Sequence, residues 1–309
     1  MKLMKLMKLN NRLILKKIYI IILILFYLII CNLYNNKEFI CLCVIGKKEN
    51  LYAKEYVNYY INLGYDHIYI YDNNDIEDEN FESVIEDEIK RGYVSIINFR
   101  GYRSVQLEAY IHCYENYNKK YKWLSFFDFD EFLELKSKNM TIKQFLNNET
   151  FYKCITVKIN WVMYTDNNLV NYENKFLNER FTLAKYDDSS NVHVKSIVRG
   201  NLNVNYWKNA PNPHSSNFGF PSCSSTGKKI LNTSPFNDPP DFGGAILKHY
   251  HTKTIEEFIW KIKRGPSETT NDIPKSYFKI KLNRFFLMNN KTKQKLDLIK
   301  TRLNISIDI

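Results

Sequence analysis

Between residues 39 and 132 the chain alternates short β-rich runs with helical ones, and this alternation constrains the fold more than any other feature of the sequence. Phe39–Ile45 (FICLCVI) is a continuous apolar run of strand length. Asn50–Leu63 then spaces Leu51, Tyr52, Tyr56, Tyr59, Tyr60 and Leu63 near a helical period. Gly64 stops that helix. His67–Tyr71 (HIYIY) reads as a second strand and runs into the acidic turn Asp72-Asn73-Asn74-Asp75. A helix over Glu82–Arg91 closed by Gly92 follows, then a strand over Tyr93–Phe99. Next come a long helix over Ser104–Tyr121, with Ser104 as its cap, and a fourth strand over Trp123–Phe127. Strand and helix in regular turn predict an α/β fold, with a Rossmann-like, mostly parallel sheet and helices on both faces. Ligands of such sheets sit beyond the carboxyl ends of the strands, where Asp72 and Asp128 both fall.

Beyond Phe132 the texture is mixed, with a short helix at Ile142–Asn147 and strands at Lys153–Trp161 and His193–Val198. Asn209–Gly244 gathers most of the prolines and reads as a long ordered loop, a length usually kept for function. Helices are expected at Thr254–Lys263, Lys275–Met288 and Lys291–Leu303, the last two forming a basic tail.

The N-terminus is separate in character. Six cations and no acid precede Ile18, and Ile18–Cys31 then runs IYIIILILFYLIIC. About 17 apolar-dominated residues at ~1.5 Å each just cross a hydrocarbon core of roughly 30 Å. No small-residue cleavage site follows Cys31, so a retained anchor is favoured over a cleaved signal. The basic flank keeps the N-terminus cytoplasmic. The expected organisation is a basic tail (1–17), a span in the lipid bilayer (18–36), a catalytic α/β domain (37–265) and a helical extension (266–309). That is a type II membrane protein, of the Golgi or ER if eukaryotic. The net charge of +11 includes six from the tail, which leaves +5 for the rest, an ordinary surface. Nucleic acid is therefore not an expected partner. Cysteine spacing supports neither a zinc ribbon nor a thioredoxin motif, and Cys41 and Cys43 read as buried free thiols.

Asp128 and Asp130 stand one residue apart at a strand end. In extended chain, residues i and i+2 point the same way, so both carboxylates are expected to converge on one hard cation, Mn²⁺ or Mg²⁺. Such an ion would neutralise charge developing on a departing diphosphate. A haloacid-dehalogenase phosphatase would want Thr or Val where Phe132 stands. A P-loop needs a hydroxyl where Lys229 stands.

The blocks CVIGKKENLYAKEYVNYYINLGYDHIYIYDNND (Cys43–Asp75) and WLSFFDFDEF (Trp123–Phe132) resemble the GT-A glycosyltransferases of the DUF23 or family-92-like group, relatives of glycosyltransferase family 2. ERF (Glu179–Phe181), HVKSIVR (His193–Arg199), NPH (Asn212–His214) and KHYHTKTIEEFIWKIKRG (Lys248–Gly265) follow in the same order. The resemblance implies a GT-A fold and a membrane-anchored, metal-dependent transferase. It implies a nucleotide-sugar donor, expected to be a UDP-sugar, and transfer with inversion to a hydroxyl of a glycan, glycoprotein or glycolipid. It places Lys48, Glu49 and Asp72 at the nucleotide, with Asp128, Asp130 and His249 as metal ligands. His251 stands where the resemblance implies an aromatic residue. Glu179 is the candidate base that takes the acceptor's proton, and Lys195 and Arg199 could face the diphosphate. The alternative is a catalytically inactive, membrane-anchored surface protein that keeps the fold.

Overall fold

The computed structural model describes residues 16–26, 38–202, 214, 221–231, 234–264 and 275–304. Residues 16–26 are helical and belong to a unit (1–38) distinct from the main body (39–309). Ile18 through Phe26 are all exposed. Among the described residues no helix is long and apolar enough to cross a membrane. The rest of the expected span, 27–36, lies outside the described residues, as do 1–15 and, of the expected loop over 209–244, residues 209–213, 215–220 and 232–233.

The described residues of the main body form eleven strands: β1 (Glu38–Gly46), β2 (His67–Asp72), β3 (Val94–Asn98), β4 (Tyr121–Phe126), β5 (Glu131–Leu135), β6 (Thr156–Tyr164), β7 (Ala184–Lys185), β8 (Val194–Arg199), β9 (Ser222–Cys223), β10 (Lys229–Ile230) and β11 (Ala245–His249). Their order is β10-β9-β6-β8-β4-β1-β2-β3; β11 joins β5 to β6, and β7 lies on β6. The sheet is mixed, not mostly parallel. β1, β2 and β3 run parallel, whereas β8 is antiparallel to both β4 and β6. β11 is antiparallel to β5 and parallel to β6.

Helices cover both faces, as the alternation along β1 requires. Ile40, Leu42 and Val44 pack with Tyr56 and Tyr60 of the Asn50–Leu63 helix on one side. Cys41 and Cys43 pack with Ala109, Tyr110 and Tyr114 of the Gln106–Tyr117 helix on the other. On that second face Cys43 is disulfide-bonded to Cys113, whereas the Cys154–Cys223 bond belongs to the cluster of the first face. Cys41 is buried as expected and takes part in neither of these bridges. Cys43 does not stay a thiol as expected, because its side chain faces a helix that carries a cysteine at the matching height.

The 50–63 helix keeps the expected bounds, since Gly64 adopts φ 100° and its N–H satisfies the last carbonyls. The expected 82–91 helix breaks into a 3₁₀ turn (Phe81–Ser83), capped by Asn80, and a short helix (Glu86–Lys90). The expected 104–121 helix is shorter at both ends. Ser104 lies at φ 55° and caps nothing, and Tyr121 begins β4. The two C-terminal helices, Lys275–Met288 and Lys293–Leu303, are not a loose tail. Leu282, Phe285 and Ile299 share an apolar cluster with Ile255, Phe258, Ile259 and Ile262 of the Ile255–Arg264 helix. Lys295 Nζ adds an ion pair to Asp166 at 2.6 Å.

A buried ion pair ties that same helix to the ERF block. Arg180 grips Glu257 with two bonds of 2.7 and 2.9 Å, and Tyr52 donates to the same carboxylate at 2.7 Å. Removing Arg180 would leave a buried carboxylate without its charge partner. Arg180→Met should therefore lower unfolding free energy by about 3–5 kcal/mol, measured by urea denaturation at neutral pH.

Candidate functional site

The site forms where the carboxyl end of β4 turns into β5. The chain is not extended through Asp128-Phe129-Asp130. Phe129 and Asp130 form a turn, closed by the Glu131 N–H donating to the Asp128 carbonyl at 3.0 Å. Glu131 Oε2 accepts from the Asp128 N–H at 2.8 Å and tightens the turn. Phe129 is driven inward, stacking on Phe81 at 5.2 Å beneath Gly46, where a Cβ would come within 2.5 Å of its ring. The two aspartates consequently diverge, and the expectation that they face the same way does not hold.

Asp128 turns toward β8. Its carboxylate meets Lys195 Nζ at 2.8 Å and accepts from Gln106 Nε2 at 2.8 Å and the Tyr110 hydroxyl at 3.1 Å. The antiparallel register explains this placement: Phe126 at the end of β4 pairs with Ser196, so Lys195 lies just beyond that end. Lys195 is fully buried, with Glu131 a further 3.7 Å away. Burial opposes ionisation of Asp128, but the Lys195 ammonium holds its carboxyl below the usual range. Burial pushes Glu131 well above it, and burial of Lys195 is outweighed by Asp128 and Glu131, which raise that ammonium.

Asp130 turns toward β11 and the 255–264 helix. β5 and β11 pair with Glu131 opposite His249, which brings His249 Nε2 to 3.5 Å from Asp130 Oδ1. Lys261 Nζ is 2.9 Å from Oδ2. Burial alone would raise the Asp130 carboxyl, but Lys261 and His249 hold it well below its ordinary value. Asp130, His249 and His251 each offer a ligand atom, all within 4.8 Å of one another. Burial lowers both imidazoles, His251 further through Lys261 and His249, which favours the neutral rings that leave one nitrogen of each open to a metal. His249 packs on Trp161 at 4.4 Å, and its Nδ1 is buried without a hydrogen-bond partner among the described residues. One carboxylate and two neutral imidazoles suit a first-row ion such as Mn²⁺ better than Mg²⁺.

The remaining expected residues are spread along the carboxyl edge and beyond it. Glu49 pairs with Arg264 at 2.6 Å and Lys253 at 3.5 Å. Lys48 bonds Asp78 at 2.9 Å. Asp72, at the end of β2, is engaged on both oxygens, by Arg100 at 2.7 Å and by the Asn74 amides at 2.9 and 2.8 Å. Arg199 sits at the other end of β8, opposite Trp123, and donates to the carbonyls of Phe151, Tyr152 and Cys154. That is a clamp on a loop rather than a group facing Asp128. Glu179 is exposed on a short helix, Leu177–Arg180, and its neighbour Arg180 pairs with Glu257 instead. His214 bonds the Val194 carbonyl at 3.2 Å and is pushed down to about 3, by burial first and then by Lys195; Asn212 and Pro213 lie outside the described residues. Lys261, Lys253, Arg264, Gln106 and Glu131 were not expected here. A sequence signal existed for His251 alone, since His-x-His on a strand end repeats the spacing of the aspartates.

The sequence profile of glycosyltransferase family 92 matches residues 37–281. The chain belongs to this family. A glycosyltransferase family 92 protein of Ricinus communis is 28% identical over 95 residues, which cover 31% of this chain and 17% of that relative. The matched part thus spans less than a fifth of the relative's length. Among solved structures, TarS of S. aureus aligns with 82% of this chain and 44% of its own, at 10% identity and a TM-score of 0.33. The mannosyltransferase PcManGT of Pyrobaculum calidifontis, solved with GDP-Man and Mn²⁺, aligns over 87% of this chain and 74% of its own, at 11% identity and a TM-score of 0.34. Both are slight likenesses.

The Asp128–Lys195 contact gives this family 92 member a pH signature. A carboxyl held low in the folded chain stabilises it fully above the unfolded carboxylate range, near pH 4, and ceases to do so as pH falls through the folded value. Asp128 keeps 31% side-chain exposure. The loss in Lys195→Met should therefore be about 2–3 kcal/mol at neutral pH, below the cost of breaking a fully buried pair. The gap from the parent, read by urea denaturation, should narrow steadily as pH is lowered below 4. A pH-independent gap would show that Lys195 acts by packing alone.

Proposed function

We propose that the protein transfers a glycosyl unit from a nucleotide-sugar donor to a hydroxyl acceptor, with a divalent ion held by Asp130, His249 and His251. The observation that supports this most is the convergence of buried Asp130 and His249 with half-buried His251 at the carboxyl edge of a family 92 domain. An ion there would supply Lewis-acid stabilisation to a departing diphosphate. The chain's own residues do the rest. Trp161 and Asp130 fix the His249 ring, while Lys195 and Glu131 hold the turn that aims Asp130. The donor's nucleotide would lie along Lys48, Glu49 and Asp72, and the donor class fits a UDP-sugar. An inverting transfer needs one carboxylate beside the acceptor hydroxyl. Glu179 is exposed where an acceptor could reach it, and Glu179→Gln tests that role by lowering kcat with little change in donor affinity.

The test of the reading is a donor screen by thermal shift across UDP- and GDP-sugars with Mn²⁺, followed by transfer assays. Asp130→Ala and His251→Ala should each lower kcat/KM about 100-fold or more. Full activity in Asp130→Ala would remove the metal from the reading. A folded chain that binds no donor would favour a non-catalytic surface protein.

The exposed apolar helix at residues 18–26 is suited to a lipid surface, and the disulfides favour a domain on the far side of that membrane. Cys43–Cys113 and Cys154–Cys223 bridge elements 70 and 69 residues apart, and such structural bonds persist in oxidising compartments. Alkylation of the unreduced, denatured protein should spare Cys43, Cys113, Cys154 and Cys223, as read by mass spectrometry. Labelling of all six cysteines would count against a lumenal or extracellular location.

A further inference from the structure

Lys261 stands between the candidate metal ligands and a cavity. Its Nζ lies 2.9 Å from Asp130 Oδ2, 3.5 Å from His251 Nδ1 and 3.1 Å from the His251 carbonyl. The ammonium thus contacts two of the three side chains that could take a divalent ion. An ion bound to Asp130 would sit against this charge at close range, where repulsion between cations is strong. The two cations compete for the same carboxylate.

The same lysine lines a cavity of about 290 Å³, together with Lys48, Lys253, Lys263 and Arg264. Most of that positive wall is already matched. Glu49 lies 2.6 Å from Arg264 and 3.5 Å from Lys253, and Asp78 lies 2.9 Å from Lys48. Lys261 differs because its partner is Asp130, the carboxylate a metal would claim. A lysine stem is long and flexible, so its ammonium can leave Asp130 and stay on the cavity wall.

We propose that Lys261 is an exchangeable counter-ion. It pairs with Asp130 until a divalent ion claims that carboxylate, and then with the phosphates of an anionic ligand in the adjoining cavity. The inference rests on the metal reading given above and adds a coupling to it. Metal binding releases a cation for the anion, and anion binding removes the metal's competitor, so each tightens the other.

The test compares the full chain with Lys261→Met, which keeps the stem and removes the charge. Mn²⁺ titrated calorimetrically without anion should bind the variant about tenfold tighter than the parent. With free Mn²⁺ buffered at saturation, inorganic pyrophosphate should bind the variant about tenfold weaker. Opposite signs distinguish exchange from a merely structural lysine, whose loss would weaken both. Lys261→Arg, which restores the charge, should recover the pyrophosphate affinity. Circular dichroism melts confirm folding, and Lys261→Gln serves if the Met variant does not fold. Equal or weaker Mn²⁺ binding by the variant, with Mn²⁺ still bound by the parent, overturns the exchange alone. Unchanged pyrophosphate affinity does the same. No Mn²⁺ binding by either chain overturns the exchange and the metal reading together.

Discussion

The contact between Lys195 and Asp128, with Glu131 buried beneath, governs the geometry of the whole edge. A fully buried ammonium keeps its charge most readily beside carboxylates. The nearest acids are those of the turn that ends β4. Once Asp128 is committed to β8, the turn through Phe129 sends Asp130 the other way, to His249, His251 and Lys261. The antiparallel pairings β4–β8 and β5–β11 therefore do more than close the sheet. They aim two carboxylates of one short motif at two neighbourhoods, Asp128 at Lys195 and Asp130 at His249 and Lys261.

Much of this was legible in the sequence, and the gaps have physical causes. The 50–63 helix and the first strands could be read because their signals are local: an apolar period and a glycine that tolerates a left-handed turn. The 275–288 helix was read to its bounds for the same reason. β5 and β11 were missed because EFLEL and AILKH are short and carry charges. Only their long-range pairing makes them strands. Sequence over-extended the 104–121 helix because Tyr121 suits either state, and its burial in β4 decides the matter. The D-x-D spacing marked the turn where the carboxyl end of β4 passes into β5. Its assumed extended geometry failed because Phe129 is a core residue, and burying it requires a turn. No local signal reports that Cys113 faces Cys43, or that Lys261 returns to Asp130 from 131 residues away.

The basic C-terminal stretch shows how charge counts mislead when placement is unknown. Lys295 is buried against Asp166, so part of the apparent cationic face is spent inside the molecule. What looked like an extension contributes Leu282, Phe285 and Ile299 to the apolar cluster behind the 255–264 helix. Lys261 and Arg264 lie on that helix, so this packing sets where their charges can reach.

The wedge of Phe129 beneath Gly46 has an electrostatic consequence. Had both aspartates met one divalent ion, their charges would have cancelled it. With one carboxylate and two neutral imidazoles, the bound ion would retain a unit of positive charge in a water-poor setting, where it acts over a longer range. An aromatic ring that chelates nothing would then decide how much of an ion's charge remains to meet a departing anion.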